Sequence, residues 1–376
     1  METSDIINWK SPQSHILLNP RMPLKESQAA IAVLKSTPPL PGHIWLSTSG
    51  SSGTFKFVAL SKKAILISAA AVNRHLESHP SDIWMNALPT FHIGGLSILA
   101  RAYLKGEKVV KYIVSGERWN PQQFAEQMVM AKVSLTALVP TQIFDIVKEK
   151  IHAPASLRAA VIGGGALSET VYEQAINLGW KLLPSYGSTE CASQVATAPM
   201  YSWENSCFPL LQPLDHVKIS LNNESNLKIY GESLLSYYGI LDLAKGACRL
   251  QDPKIDGWLT TEDRVVLKNN YIQTVSRKGN FVKIGGESVD LSRLDTILDE
   301  VRLLLQNDND MSIFTMPDDR LGHVIHLAIA SENDVNTEAL LKKFHDRVHP
   351  YERIRQVHYV NHISRTSLNK VIRHQI

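Results

Sequence analysis

The chain has 376 residues, 44% of them apolar and 20% charged, which fits a folded globular protein of two or three domains and excludes wholesale disorder. Thirty-nine Lys and Arg against 36 Asp and Glu leave a net charge of +3, so there is no basic field to draw nucleic acid. The longest apolar stretch, around Ala64–Val72, is far shorter than a membrane span requires. Met1-Glu2-Thr3-Ser4-Asp5 lacks the positive start and apolar core of a signal peptide. Cys191, Cys207 and Cys248 form neither a CxxC pair nor a disulfide framework, and a cytoplasmic location is expected.

In chain order, a polar, proline-interrupted start carries one predicted helix around Glu26–Ser36. His43-Ile44-Trp45-Leu46 reads as a buried strand, Thr48–Thr54 as a turn, and Ser61 to about Glu77 has helical spacing. Four strand–helix pairs come next: Asp82–Ala87 with Gly94–Lys105, Lys108–Val114 with Pro121–Lys132, Leu135–Val139 with Thr141–Lys150, and Ala159–Gly163 with Ser168–Leu178. That alternation predicts a mostly parallel α/β sheet. Between about Asp215 and Lys268 the period changes to two, which predicts an antiparallel sheet or small β-barrel. Past Val275 a smaller α+β unit is expected. It has a hairpin around Asn280–Val289, a helix capped by Asp290, strands Met311–Met316 and Val324–Ala330, and a helix near Thr337–Val348. The expected division is 1–275 and 276–376.

Chemistry concentrates in a few segments. Ser47-Thr48-Ser49-Gly50-Ser51-Ser52-Gly53-Thr54-Phe55-Lys56 follows a buried strand and supplies close-approaching N–H groups, hydroxyls and a cation, the needs of a polyphosphate. Its glycines fit neither GxxxxGK[ST] nor GxGxxG, and by itself it also reads as a flexible linker. Leu88-Pro89-Thr90-Phe91-His92-Ile93-Gly94-Gly95 brings a histidine to a helix start, where a structural role is the ordinary one. Gly163-Gly164-Gly165-Ala166-Leu167-Ser168 is a strand-to-helix turn with Ser168 as N-cap. Tyr186-Gly187-Ser188-Thr189-Glu190, Gly257-Trp258-Leu259-Thr260-Thr261-Glu262-Asp263, Ser276–Glu287 and Arg365–Arg373 complete the set.

Taken in order from about Ile44 to Arg373, these segments resemble the adenylate-forming superfamily of acyl-CoA synthetases, luciferases and peptide-synthetase adenylation domains. The resemblance implies the adenylate-forming enzyme fold, with a large α/β domain that binds ATP and the acyl group. The smaller C-terminal domain would be mobile. It implies that Thr48, Ser49, Gly50, Ser51, Ser52, Gly53, Thr54 and Lys56 hold phosphates, and that Gly164, Gly165, Tyr186 and Gly187 border adenine. Asp263 and Arg277 would hold ribose, Thr189 would meet the α-phosphate, and Glu190 would ligate Mg²⁺. His92, Gly163 and Ser193 would line the acyl pocket. Gly279 would be the hinge, Gly285 and Gly286 would open the thioester-forming loop, and Lys370 would be the catalytic lysine.

The Ser193-Gln194 pair after Glu190 resembles the 2-succinylbenzoate–CoA ligases of menaquinone synthesis. The expected partners are therefore a small carboxylic acid, ATP with Mg²⁺, and CoA. Neither nucleic acid nor a membrane span is expected, and homo-oligomerisation stays open. Another aryl- or acyl-CoA ligase, an adenylation enzyme loading a carrier protein, and a catalytically weakened nucleotide-binding homologue are the alternative readings. Departures from the family pattern bear on the last. Only 46 residues precede Ser47, so much of the usual first subdomain is expected to be missing. Phe55 replaces a proline, and Ser276, Glu262 and Asn369 replace glycines, while Gly279 and Asn280 occupy a usually acidic hinge. At a positive-φ position Glu262 would cost about 1–2 kcal/mol. Lys56, Thr189, Glu190, Asp263, Arg277 and Lys370 are all retained, which favours an active enzyme.

Overall fold

The computed structural model describes residues 7–20, 22–37, 40–47, 55–113, 119–205, 207–243, 245–277, 281–284, 287–318, 320–331, 337–366 and 371. The chain opens with β1 (His15–Leu17), α1 (Leu24–Ser36), β2 (His43–Ser47) and β3 (Phe55–Ser61). The Ser61 hydroxyl then accepts from Ala64 N at 3.0 Å and starts α2 (Lys62–His75). Strands and helices alternate from there: β4 (Ile83–Asn86), α3 (Ile93–Lys105), β5 (Lys108–Lys111), α4 (Pro121–Met130), β6 (Leu135–Leu138), α5 (Pro140–Lys148), β7 (Ala159–Ile162), α6 (Glu169–Asn177) and β8 (Leu182–Ser188). Local chemistry sets several of these boundaries. Asn120 caps α4 with Pro121 in the first turn, where the missing N–H costs nothing, and Ser168 caps α6 as expected. Every expected strand–helix pair is present.

β5, β4, β6, β7 and β8 run parallel in that order, and β9 (Ser193–Thr197) and β10 (Gln212–Pro213) extend the sheet antiparallel. The central strands are short and apolar because both faces are covered: β6 and β7 are buried at every position. One face packs on α4, α5 and α6 through Phe124, Met128, Ile143, Ile146 and Tyr172. The other packs on α2 and α3, through Ile65, Val72, Leu96 and Ile98.

Beyond β10 come β11 (Lys218–Leu221), β12 (Asn226–Tyr230), β13 (Tyr237–Asp242), β14 (Ala247–Gln251), β15 (Trp258–Lys268) and β16 (Tyr271–Arg277). The expected antiparallel sheet is present but takes only part of this stretch. β11, β12, β15 and β16 form an open four-stranded antiparallel sheet, whereas β13 and β14 cross to pair with β3 in a five-stranded sheet ordered β1-β2-β3-β13-β14. Leu234 and Leu235 are buried at the crossing, so the chain can change sheets without exposing apolar surface. α1 covers the outer face of the five-stranded sheet through Ala30, Val33 and Leu34. Glu262 lies extended in β15 and is absent from the left-handed positions, so the strain expected there does not arise.

The last part comprises β17 (Phe281–Ile284), β18 (Glu287–Asp290), α7 (Leu291–Leu304), β19 (Asp310–Asp318), β20 (Gly322–Ala330), α8 (Glu338–His345) and β21 (Ile354–Val360). Asp290 caps α7 by accepting from Ser292 N at 2.9 Å. Its own core gathers Leu294, Leu298, Ile313, Leu327 and Phe344. The expected boundary at 275/276 falls inside β16, two residues before that strand ends. The end of α7 meets α5: the Arg302 guanidinium lies 5.1 Å over the Phe144 ring, and Lys148 pairs with Asp308 at 2.6 Å. Among the described residues no helix is long and apolar enough to cross a membrane.

The N-terminal ends of three parallel strands are tied by one buried carboxylate. Asp82 accepts from His79 N at 2.8 Å, Ser134 Oγ at 2.7 Å and Arg158 Nη1 at 2.6 Å, so it joins the residues that enter β4, β6 and β7. Burial acts to raise its pKa, but these donors outweigh burial and hold it below the usual carboxylate range. Its stabilisation is therefore present above the unfolded pKa of about 4 and is lost as pH falls through the lower folded value. We expect Asp82→Ala to lower unfolding free energy by about 3 kcal/mol at pH 7. In denaturant melts the gap to the parent should shrink as the buffer is taken well below pH 4.

Candidate active site

The C-terminal ends of β4, β6, β7 and β8 share one edge of the parallel sheet, the usual place for a ligand crevice in an open α/β sheet. Three sequence-predicted segments leave from that edge, 88–92, 163–165 and 186–190, and the turn at 139–140 joins them. Gly164 turns with φ +84°, and its neighbours Gly163 and Gly165 border Ser185 and Pro140.

The tightest point is the reversal from β8 to β9. It runs through a single 3-10 turn, Thr189–Cys191, with Ala192 at φ +55° and Ser193 at φ +112° directly after it. A β-carbon on Gly187 would lie 1.9 Å from the Ser193 carbonyl oxygen, so this close approach admits only glycine. Non-glycine residues at such φ values store roughly 1–3 kcal/mol each, an expense typical of functional sites.

On the side of this reversal expected to meet nucleotide, Tyr186 is buried and its hydroxyl donates to Asp263 Oδ2 at 2.8 Å. Burial, reinforced by the Asp263 charge, pushes the Tyr186 pKa far up, so it remains a donor. Arg277 lies directly opposite Asp263 in the β15–β16 ladder, which brings the two expected ribose residues together on adjacent strands. The Glu190 carbonyl accepts from Leu235 N at 2.7 Å, and its Oε1 accepts from the Tyr238 hydroxyl at 3.1 Å. Lys56, second residue of β3, places its ammonium 3.5 Å from the centre of the Tyr238 ring. No group of three or more His, Cys, Asp or Glu that could hold a metal occurs among the described residues. A single carboxylate such as Glu190 does fit Mg²⁺, which is commonly held by one or two carboxylates together with substrate phosphates.

On the other side lies a residue the sequence reading missed. Arg101 in α3 is 2% exposed, and its Nη2 donates to Gln194 Oε1 at 2.7 Å and to Ser193 Oγ at 3.3 Å. Its Nε and Nη1 have no partner among the described residues. Trp84 lies 5.4 Å beneath the guanidinium and donates its own N–H to Glu107 at 2.9 Å. Burial pulls the Arg101 pKa down to about 9, with Glu107 opposing, so the group is still a cation at neutral pH. Desolvating a charge with two donors unmet is expensive. The sequence does carry a signal for it: Arg101 sits among Ile98, Ala100 and Ala102 on the buried face of α3, where a charge is unusual.

Ser193 is 9% exposed and its Oγ is engaged with Ser97 and Arg101, so it holds Arg101 instead of standing open. His92 is the N-cap residue of α3, half-buried, with its ring 4.6 Å from that of Phe91. Lys370, the loop residues Thr48, Ser49, Gly50, Ser51, Ser52, Gly53 and Thr54, and Gly279, Gly285 and Gly286 lie outside the described residues.

The fold and this edge of loops define a class. The family model described as AMP-binding enzyme matches residues 26–231, more than half of the chain, and the chain belongs to that family. Among its relatives, the 2-succinylbenzoate–CoA ligases of Bacillus licheniformis and Oceanobacillus iheyensis are 26% and 24% identical over 343 and 340 residues. Each match spans 88% of this chain and 68% of the relative. The o-succinylbenzoate CoA synthetase of Bacillus subtilis in complex with AMP superposes with a TM-score of 0.72 at 22% identity, covering 89% of this chain and 68% of that one. The amide bond synthetase of Marinactinospora thermotolerans gives 0.68 at 20% identity, covering 89% and 69%. At these identities the superpositions establish a shared fold.

Gly187→Ala forces a β-carbon against the Ser193 carbonyl. We expect it to lower stability by about 2–3 kcal/mol and to weaken ATP binding, read together by thermal melts with and without nucleotide.

Proposed function

We propose that this protein is an ATP-dependent acid–thiol ligase which converts 2-succinylbenzoate, ATP and CoA into succinylbenzoyl-CoA, AMP and pyrophosphate, a step of menaquinone synthesis in the cytoplasm. The observation that carries the reading is Arg101. A buried cation with two unmet donors, held by the Ser193–Gln194 pair, is what a dicarboxylic aromatic acid needs at the end away from the reaction. The names of the relatives point to the same acid.

The chemistry has two halves. The substrate carboxylate attacks the α-phosphate of Mg·ATP, giving an acyl-adenylate and releasing pyrophosphate. Tyr186, Asp263 and Arg277 hold adenosine, Lys56 and the loop 48–54 hold the outer phosphates, and Thr189 donates to the α-phosphate. Glu190 would hold the Mg²⁺ that accompanies ATP, and the ion would supply screening of the phosphate charge. Lys370 bridges the carboxylate and α-phosphate oxygens and stabilises charge in the transition state without forming a bond. The unit beyond residue 275 then turns about Gly279, withdraws Lys370 and presents Gly285 and Gly286. The CoA thiolate displaces AMP, so the C–O bond to phosphate breaks as the C–S bond forms. Two half-reactions with different geometric needs give the second unit its reason to move.

Substrate-dependent ATP–pyrophosphate exchange tests the assignment. It should appear with 2-succinylbenzoate and be weak with aryl and fatty monocarboxylates; exchange confined to another acid keeps the mechanism and removes this substrate. Arg101→Met should raise the KM for succinylbenzoate about 30- to 100-fold, the scale of hydrogen bonds to a charged group, and leave the KM for ATP nearly unchanged. Lys370→Ala should slow adenylation at least about a hundredfold and spare thioester formation from preformed acyl-adenylate. Equal losses in both half-reactions would remove that role for Lys370.

A further inference from the structure

Tyr238 has no part in the chemistry above, yet it touches two of the charges on which that chemistry depends. It lies in β13 two residues from Ile240, the partner of Lys56 in β3, so Tyr238 and Lys56 share one face of the five-stranded sheet. The Lys56 ammonium stands 3.5 Å from the centre of its ring. Its hydroxyl donates to Glu190 Oε1 at 3.1 Å, and Leu235, three residues earlier, donates its N–H to the Glu190 carbonyl at 2.7 Å. Each end of the side chain thus meets a charge with the part suited to it, the π face for the cation and the O–H for the carboxylate.

We propose that Tyr238 is a positioning residue for Mg·ATP, an aromatic spacer that fixes the separation of the Lys56 ammonium from the Glu190 carboxylate. The inference rests on the reading of the site given above. A lysine and a glutamate that face one polyphosphate attract each other, and a direct ion pair would withdraw the cation from phosphate and the carboxylate from metal. Tyr238 is fixed at both ends of its segment, by its pairing with β3 and by the Leu235 contact, so its ring face and its hydroxyl hold the ammonium and the carboxylate at two separate points of one rigid side chain. It also pins one carboxylate oxygen of Glu190 and thereby sets the direction in which the other points.

Two substitutions separate the two contacts. Tyr238→Phe keeps the ring over Lys56 and removes only the hydroxyl, while Tyr238→Leu removes both. The full-length protein is titrated with Mn²⁺ at saturating ATP, followed by electron paramagnetic resonance, and separately with ATP in EDTA, followed by calorimetry. Tyr238→Phe should raise the Mn²⁺ dissociation constant about tenfold and leave the metal-free ATP constant within about twofold. Tyr238→Leu should raise both, the ATP constant by about three- to tenfold. Should the leucine variant fail to fold, the phenylalanine variant still decides. An unchanged Mn²⁺ constant in Tyr238→Phe, or equal shifts of both constants in that variant, overturns the inference. Both constants are read without any acid substrate. Failure of pyrophosphate exchange in the parent, with the expected Mn²⁺ shift intact, removes the ligase reading and keeps the spacer. Exchange in the parent with no Mn²⁺ shift does the reverse.

Discussion

Gly187 passes the Ser193 carbonyl so closely that a β-carbon there would sit 1.9 Å from the oxygen. This near-contact lets β8 reverse into β9 within one 3-10 turn, and that turn carries Thr189 and Glu190. On its upstream side Tyr186 reaches Asp263, and on its downstream side Ser193 and Gln194 grip Arg101. A looser reversal would move the proposed nucleotide half and the proposed acyl half of the site relative to each other. Reaction between two bound groups is sensitive to displacements of about 1 Å, so under the proposed function the strain at Ala192 and Ser193 would keep the two halves in register.

The two ends of the same parallel strands treat charge in opposite ways. At the N-terminal ends Asp82 has donors from His79, Ser134 and Arg158 and is settled. At the C-terminal ends Arg101 is buried with donors unmet, Glu190 leans on a tyrosine hydroxyl, and Ser193 occupies an unfavourable φ. The saturated end secures the scaffold, and under the proposed function ligands would bring the missing partners to the unsaturated end. Local violations of packing rules gathered at one edge are what a functional site looks like in energetic terms.

Much of this is legible from the residues. Amphipathic spacing and capping residues such as Ser168 and Asp290 place the helices to within a few residues, because those signals act over one or two turns. The AMP-binding family is legible because its segments recur in order along the chain. The parts that escape a sequence reading depend on long-range pairing. β3 is an apolar run, Phe55–Ser61, that reads equally as the end of a loop, and only its partners β2 and β13 make it a strand. β13 and β14 have the same period-two pattern as β11 and β12, so nothing local distinguishes the sheet each joins. β1 is three residues long and β21 needs β20 beside it. Arg101 belongs to no motif and so draws no notice as part of one. Ser193 looks open in sequence because its partners come from a helix some ninety residues away.

The ladder between β15 and β16 remains paired from Lys268–Tyr271 out to Asp263–Arg277. The last described rung lies two residues before Gly279, the proposed pivot. A rotation that begins at Gly279 therefore leaves this rung in the stationary body, and the two residues proposed to grip ribose stay registered while the lysine departs. The adenylate would then be handed from one chemistry to the next without being let go. Under the proposed function such an arrangement would keep a reactive mixed anhydride out of bulk water for the whole interval between the two half-reactions.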